Sequence, residues 1–266
     1  MRHLRDVLTG ADLLLRLTAH DLRNRCLGST LGFVWAFIQP FVMTIILWCV
    51  VGIALRAPAV RGVPFIVWLL AGMSAWSFFS EALNQAANVF YEYAFLVKKV
   101  NFRLFFLPLM KIAAALAVHF VFLLIVAVVL IAGRVPVSWN WLAVFYYLFS
   151  AAMLLAGLSY VTAALNVFLR DIGHIVNIAL QFGFWLTPVF WDFAMFPLQG
   201  HSLLVKILRL NPLVYVVEGY RNSLLFSAPF AAGWRATVYF WLFTLLTLAL
   251  GRLVFRKLRP HFADVL

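Results

Sequence analysis

The chain is poor in charge. Of its 266 residues only 11% are Asp, Glu, Lys or Arg, against about 25% in ordinary soluble proteins. A water-soluble domain needs a polar shell, and so little charge cannot supply one for a chain this long. Carboxylates are scarcest, nine against 21 Lys and Arg. Cysteine is nearly absent. Cys26 and Cys49 are the only two, and with helix between them they lie about 30 Å apart, far beyond disulfide reach. They read as free thiols. No lysine follows a glycine, so the phosphate-binding loop GxxxxGK[ST] is missing. HExxH, GxSxG and paired-Cys spacings are missing too, and the six histidines are scattered. No catalytic residue set, metal site or cofactor is expected in this chain. A soluble enzyme, a disordered chain and a disulfide scaffold are all set aside.

What the chain has in abundance is apolar sequence, 65% of all residues. Runs of about 20 apolar residues cross a bilayer core as helix. Six are expected, at about 33–55, 63–90, 104–132, 141–168, 174–191 and 236–254. The fold class is therefore an all-α polytopic membrane protein with six transmembrane helices. The net charge of +12 belongs to the flanks of these runs and forms no basic face on a polar domain, which argues for a membrane and against nucleic acid. Fourteen Lys and Arg fall on one side of the spans and seven on the other. The positive-inside rule then places both termini in the cytoplasm. The charges within the first 32 residues interrupt any signal-peptide core, so no cleaved leader is expected.

Three segments do not span. Residues 10–31 alternate Leu13, Leu14, Leu15 and Leu17 with Arg16, His20, Asp21, Arg23 and Arg25. They read as an amphipathic helix in the cytoplasmic interface, or as a plain basic flank. Residues 90–103 are a short cytoplasmic link. Residues 192–235 are apolar but broken by Pro197, Gly200, Asn211-Pro212, Gly219 and Pro229. Two short re-entrant helices before the last span fit there, with interfacial surface helices as the other reading. The organisation is thus an interface helix at 1–32, a transmembrane domain at 33–254 and a cytoplasmic tail at 255–266.

Candidate functional residues follow from spacing. Phe33, Phe37, Phe41, Thr44 and Trp48 recur at steps of 4, 4, 3 and 4, one continuous helix face. Phe182 and Trp185 repeat this in the fifth span. These aromatic faces are expected to line a substrate channel. In the link, Phe95, Leu96 and Phe102 beside Lys98 and Lys99 have the apolar anchor and charged rim of a small docking surface. Asn211 is placed to cap a helix beginning at Pro212 and running past Tyr215. Glu218 and Arg221, three apart, share its face. This group is expected to form a gate at the outer side.

Several stretches resemble one family. LRNRCLGSTLGFVWAFIQP (22–40) is similar to the approach to the first span in ABC-2 type polysaccharide export permeases, through Gly28, Ser29, Leu31, Gly32, Trp35 and Pro40. FLVKKVNF (95–102), LTPVFW (186–191), LNPLVYVVEGYR (210–221) and FRKLRPHFADVL (255–266) follow in family order. The link departs from the pattern, because Arg103 stands after Phe102 where proline is common. The resemblance implies a homodimer joined by two copies of a cytoplasmic ABC ATPase, which would hold ATP and Mg. The pair would move a lipid-linked, O-antigen-like polysaccharide across the inner membrane, with Arg23 and Arg25 as candidates for meeting its lipid pyrophosphate. The docking role of the link is then towards that ATPase. Capsule or teichoic acid export, or drug or lipid efflux by an ABC-2 permease, are the alternatives.

Overall fold

The computed structural model describes residues 2–26, 34–98, 103–193, 203–226 and 233–266, without the side chains of 2–9, 26, 204 and 263. Phe33, Lys99 and Phe102 lie outside the described residues. The chain is helical nearly throughout. Helix α1 is Arg2–Cys26. Helix α2, Trp35–Leu47, continues as a π-helical segment to Ala54. Helix α3 is Phe65–Ala87, followed by the one-turn helices α4 (Val89–Glu92) and α5 (Ala94–Val97). Next come α6 (Phe106–Ala132), α7 (Ala143–Phe168) and α8 (Asp171–Leu186). Short helices α9 (Leu203–Arg209) and α10 (Pro212–Leu224) precede α11 (Trp234–Leu258) and the terminal turn α12 (Phe262–Val265).

Among the described residues, five helices are long and apolar enough to cross a membrane: Trp35–Ala54, Phe65–Ala87, Phe106–Ala132, Trp139–Phe168 and Trp234–His261. The fifth expected span differs. Its helix α8 has 16 residues, about 24 Å of rise against a hydrocarbon core of about 30 Å. It stops at Leu186 because Thr187 turns extended, with Pro188 next. An apolar run says how much chain lipid tolerates, and a proline after it ends the helix early.

Helix α3 is the central post. Its small residues Ala71, Gly72, Ser74 and Ala75 are all buried and let α6, α7, α8 and α10 pack closely around it. Asn166 ties the ends of three helices together. Its Nδ2 donates to the Ala87 carbonyl at 2.9 Å, and its Oδ1 accepts from the Gly173 amide at 3.0 Å. Two apolar cores result. One runs the length of the bundle. The other gathers Phe90, Tyr93, Tyr160, Phe255 and Phe262, with Leu14 and Leu17 of α1 packed against them. The α1 helix, the link and the C-terminal turn therefore meet at one end of the bundle, the terminal end. The α10 helix sits towards the other, the far end.

A polar groove and its two ends

The α1 helix lays Gly10, Thr18 and Asp21 on its buried face, at the helical spacing its sequence pattern requires. A Cβ on Gly10 would stand 3.1 Å from the Phe106 ring, so the small residue sets how closely α1 lies on α6.

A groove of about 1150 Å³ opens between α2, α3 and α8. Trp35, Trp76, Phe184 and Trp185 form part of its wall. Its polar lining is Gln39 from α2, Ser77, Ser80 and Asn84 from α3, and Asn177 and Gln181 from α8. Residues 77, 80, 81, 84 and 85 repeat at three and four, so a single face of α3 carries the polar strip. The Asn84 amide donates to Asn177 Oδ1 and joins the strip across to α8. The Ser77 and Ser80 hydroxyls donate to the carbonyls of Ser74 and Ser77, which leaves their lone pairs facing the groove as acceptors. Uncharged amides and hydroxyls on a bilayer-length helix are costly against lipid. They are cheap against water or a polyhydroxylated chain. At one mouth stand Arg25, Glu81 and Gln85.

The expected aromatic face of α2 is placed differently. Phe37, Phe41 and Trp48 pack on the main core, and Phe41 meets the Phe122 ring at 5.0 Å. Thr44 on the same face is buried and bonds the Pro40 carbonyl at 2.8 Å. The groove takes the adjoining face of α2 instead, with Gln39, Met43 and Ile46. Of the α8 pair, Trp185 lines the groove, whereas Phe182 is exposed and outside its lining.

The terminal end holds a buried knot of charge. The Asp21 carboxylate, 3% exposed, accepts from Lys111 Nζ at 2.7 Å and Arg25 at 2.8 Å. The Tyr93 hydroxyl donates to it at 2.8 Å. Lys111 also pairs with Glu92. Arg25 reaches Glu81 at 3.3 Å and the Gln85 side chain. Burial alone would raise the Asp21 pKa, but the hydrogen bond and charge of Lys111, with Arg25 behind it, hold the carboxyl below its ordinary value. Burial and the neighbouring carboxylate push Tyr93 up. Arg25 is thus engaged by two carboxylates, while Arg23 is exposed. In the link, Phe95 and Lys98 are exposed and Leu96 packs partly on the terminal core.

At the far end, Asn211 caps α10 by accepting from the Leu213 amide at 3.0 Å, and its Nδ2 donates to Thr187 Oγ1 at 2.8 Å. Pro212 occupies the first turn. Tyr215 shares its hydroxyl with Tyr146 at 3.0 Å and Thr237 at 3.2 Å. Arg221 is wholly buried. Its Nη1 donates to the Pro188 carbonyl and its Nη2 to the Val189 carbonyl, each at 2.6 Å. The guanidinium lies 3.4 Å from the Trp68 ring centroid, and Glu218 pairs with it at 3.3 Å. The spacing of Glu218 and Arg221 was legible. The use of Arg221 to fasten the turn after α8 was not, because Pro188 lies 33 residues away.

A match to the ABC-2 type transporter family covers residues 12–225, most of the helical bundle. The chain belongs to that family. Among its relatives, the transporter is 26% identical to an O-antigen export system permease protein RfbA of Klebsiella pneumoniae, over 96% of this chain and 95% of that one. It is 28% identical to the O-antigen export system permease protein RfbA of Myxococcus xanthus, over 83% of each. The matched residues include most of α1, the link and α10. The transporter is a multi-pass membrane protein, and the groove is its candidate working surface.

Proposed function

We propose that this transporter is the membrane subunit of an exporter for an O-antigen-type polysaccharide, carried on a lipid and driven by a separate ABC ATPase. The relatives named above support the cargo. The observation that carries the reading from this chain is the groove, where seven uncharged polar side chains stand beside three tryptophans. Amides and hydroxyls exchange hydrogen bonds with sugar hydroxyls at little desolvation cost. Indole faces take the C–H sides of the rings. An efflux path for an apolar drug or a lipid would want neither the amides nor the serines.

The groove is open along its length, with Gln39 and Gln181 exposed on its two walls. Polar groups cannot face lipid at that depth, so a second copy of the chain closes the groove in a homodimer. The basic flanks set both termini on the cytoplasmic side of the inner membrane. The exposed Phe95 and Lys98 lie on the link, at the terminal end where two ATPase subunits would dock. Arg25 already satisfies two carboxylates, so Arg23 is the better candidate for a lipid pyrophosphate.

Replacing Gln39 and Gln181 together with Leu tests the groove. Two hydrogen bonds at about 0.7 kcal/mol each correspond to about tenfold, so export is expected to fall by about that factor with insertion and ATPase binding kept. Surface glycan per inserted protein is the measurement. Wild-type export by the double variant would move the path elsewhere.

A further inference from the structure

We infer that Asp21 is a positioning residue for transport: the charge knot around it makes the interface helix, the link and the groove mouth move as one body. It thereby carries displacement of the link to the groove. The inference rests on the ATP-driven export reading.

The first argument is that attachment alone does not call for this knot. Helix α1 already packs Leu14 and Leu17 on the terminal core. A buried ion pair is a poor way to add stability, because desolvating both charges offsets most of their attraction, and apolar residues of similar size do as well or better. Its use has to be sought in connectivity. One carboxylate joins three elements directly here. Asp21 and Arg25 belong to α1, Lys111 to α6, and Tyr93 and Glu92 to the link. Through Arg25 the network continues to Glu81 and Gln85 on α3.

The second argument is that each cation has two anionic partners. Lys111 bonds Asp21 and Glu92, and Arg25 bonds Asp21 and Glu81. Either cation keeps one ion pair if its other bond is strained, so the knot stays connected while the elements it joins are displaced together.

The third argument is position. A cavity of about 440 Å³ lies over the knot, bordered by Glu92, Tyr93 and Phe95 of the link. Arg25 and Gln85 border this cavity and also the groove. Arg25, bonded to both Asp21 and Gln85, passes a shift of the link to the groove mouth. Three carboxylates face two cations in the knot, so its excess charge is negative and it offers no seat for a phosphate.

The test uses the exporter assembled with its ATPase in lipid vesicles. Asp21→Asn with Lys111→Met removes the central ion pair without leaving either charge alone. A cysteine at the groove mouth, Ala36→Cys in a Cys26→Ser, Cys49→Ser background, reports nucleotide-dependent opening by its rate of maleimide labelling. That readout needs no glycan. In the parent, labelling is expected to change about tenfold between nucleotide-free and ATP-trapped states, the scale of an ordinary coupling free energy. In the double variant that dependence is expected to vanish, with ATP hydrolysis retained and glycan exported per ATP reduced about tenfold. Full nucleotide dependence of labelling in the double variant would overturn the inference and leave the knot a staple. If the double variant does not assemble, Tyr93→Phe cuts only the bond from the link to Asp21. Reduced nucleotide dependence there supports the relay, and unchanged dependence overturns it. A parent complex that opens with ATP but exports no glycan would sink the cargo reading and leave the relay standing.

Discussion

Arg221→Ala is expected to abolish most of the folded protein. The side chain is wholly buried, and its two terminal nitrogens hold the carbonyls of Pro188 and Val189 at 2.6 Å. Truncation leaves two carbonyls and the Glu218 carboxylate without their donor, and opens a void beneath Trp68. Removing one member of a buried charged set typically costs about 3–5 kcal/mol, a large part of the stability of a whole domain. The measurement is the yield of detergent-stable protein and its melting temperature. Arg221→Lys should recover little, because one ammonium cannot bridge two carbonyls with the fixed fork of a guanidinium. Gly72→Ala should harm the same lock from the opposite side, since its Cβ would stand 2.5 Å from Arg221 Nη2 and 2.9 Å from the Val189 carbonyl. Wild-type melting of Arg221→Ala would show that the turn after α8 is held by something else.

Gly251→Leu is expected to be comparably severe by a different route. Helices α7 and α11 touch backbone to backbone. A Cβ on Gly251 would lie 2.5 Å from the Gly157 carbonyl oxygen, and one on Gly157 2.7 Å from the Leu248 amide nitrogen. No rotamer relieves a clash with main chain, so the helices must part. Overpacking of this kind costs about 1–3 kcal/mol where side chains can shift, and more where they cannot. The loss falls on the largest helix–helix contact of the bundle. Limited proteolysis and thermal unfolding in detergent should both show it. A variant as protease-resistant as wild type would mean that the approach relaxes without harm.

The lock and the close approach differ in how far the sequence announces them. Asn211 before Pro212 specifies a helix start locally, and the cap is there at 3.0 Å. Glu218 and Arg221 share a face by spacing alone, and they pair. The alternation in residues 10–31 points to an amphipathic helix, and a helix is there from Arg2 to Cys26, starting eight residues earlier, with 27–31 outside the described residues. These are signals within one or two turns of chain. Ser77, Ser80, Glu81, Asn84 and Gln85 share one face of α3 by spacing, but Gln39, Asn177 and Gln181 carried no sign that they would join it. Their meeting needs three helices brought together from separate parts of the chain.

The α2 helix marks the limit most clearly. Periodicity establishes that Phe37, Phe41, Thr44 and Trp48 share a face. It does not say what that face meets. In water, one face of a helix is polar and the choice is made by composition. In a membrane, lipid and protein interior are both apolar, and the same stripe suits either. Only packing against Phe122 and the main core turned it inward and left Gln39 on the groove. Asp21, Arg25 and Lys111 read as a topology signal along the chain, because sequence records charge but not distance. The amino-acid sequence by itself determined that the chain lives in a membrane as apolar helices and how α10 is capped, since burial preference and capping act locally. The groove, the charge knot and the Arg221 lock were decided by tertiary structure alone, because each requires groups from distant segments to satisfy one another where water cannot.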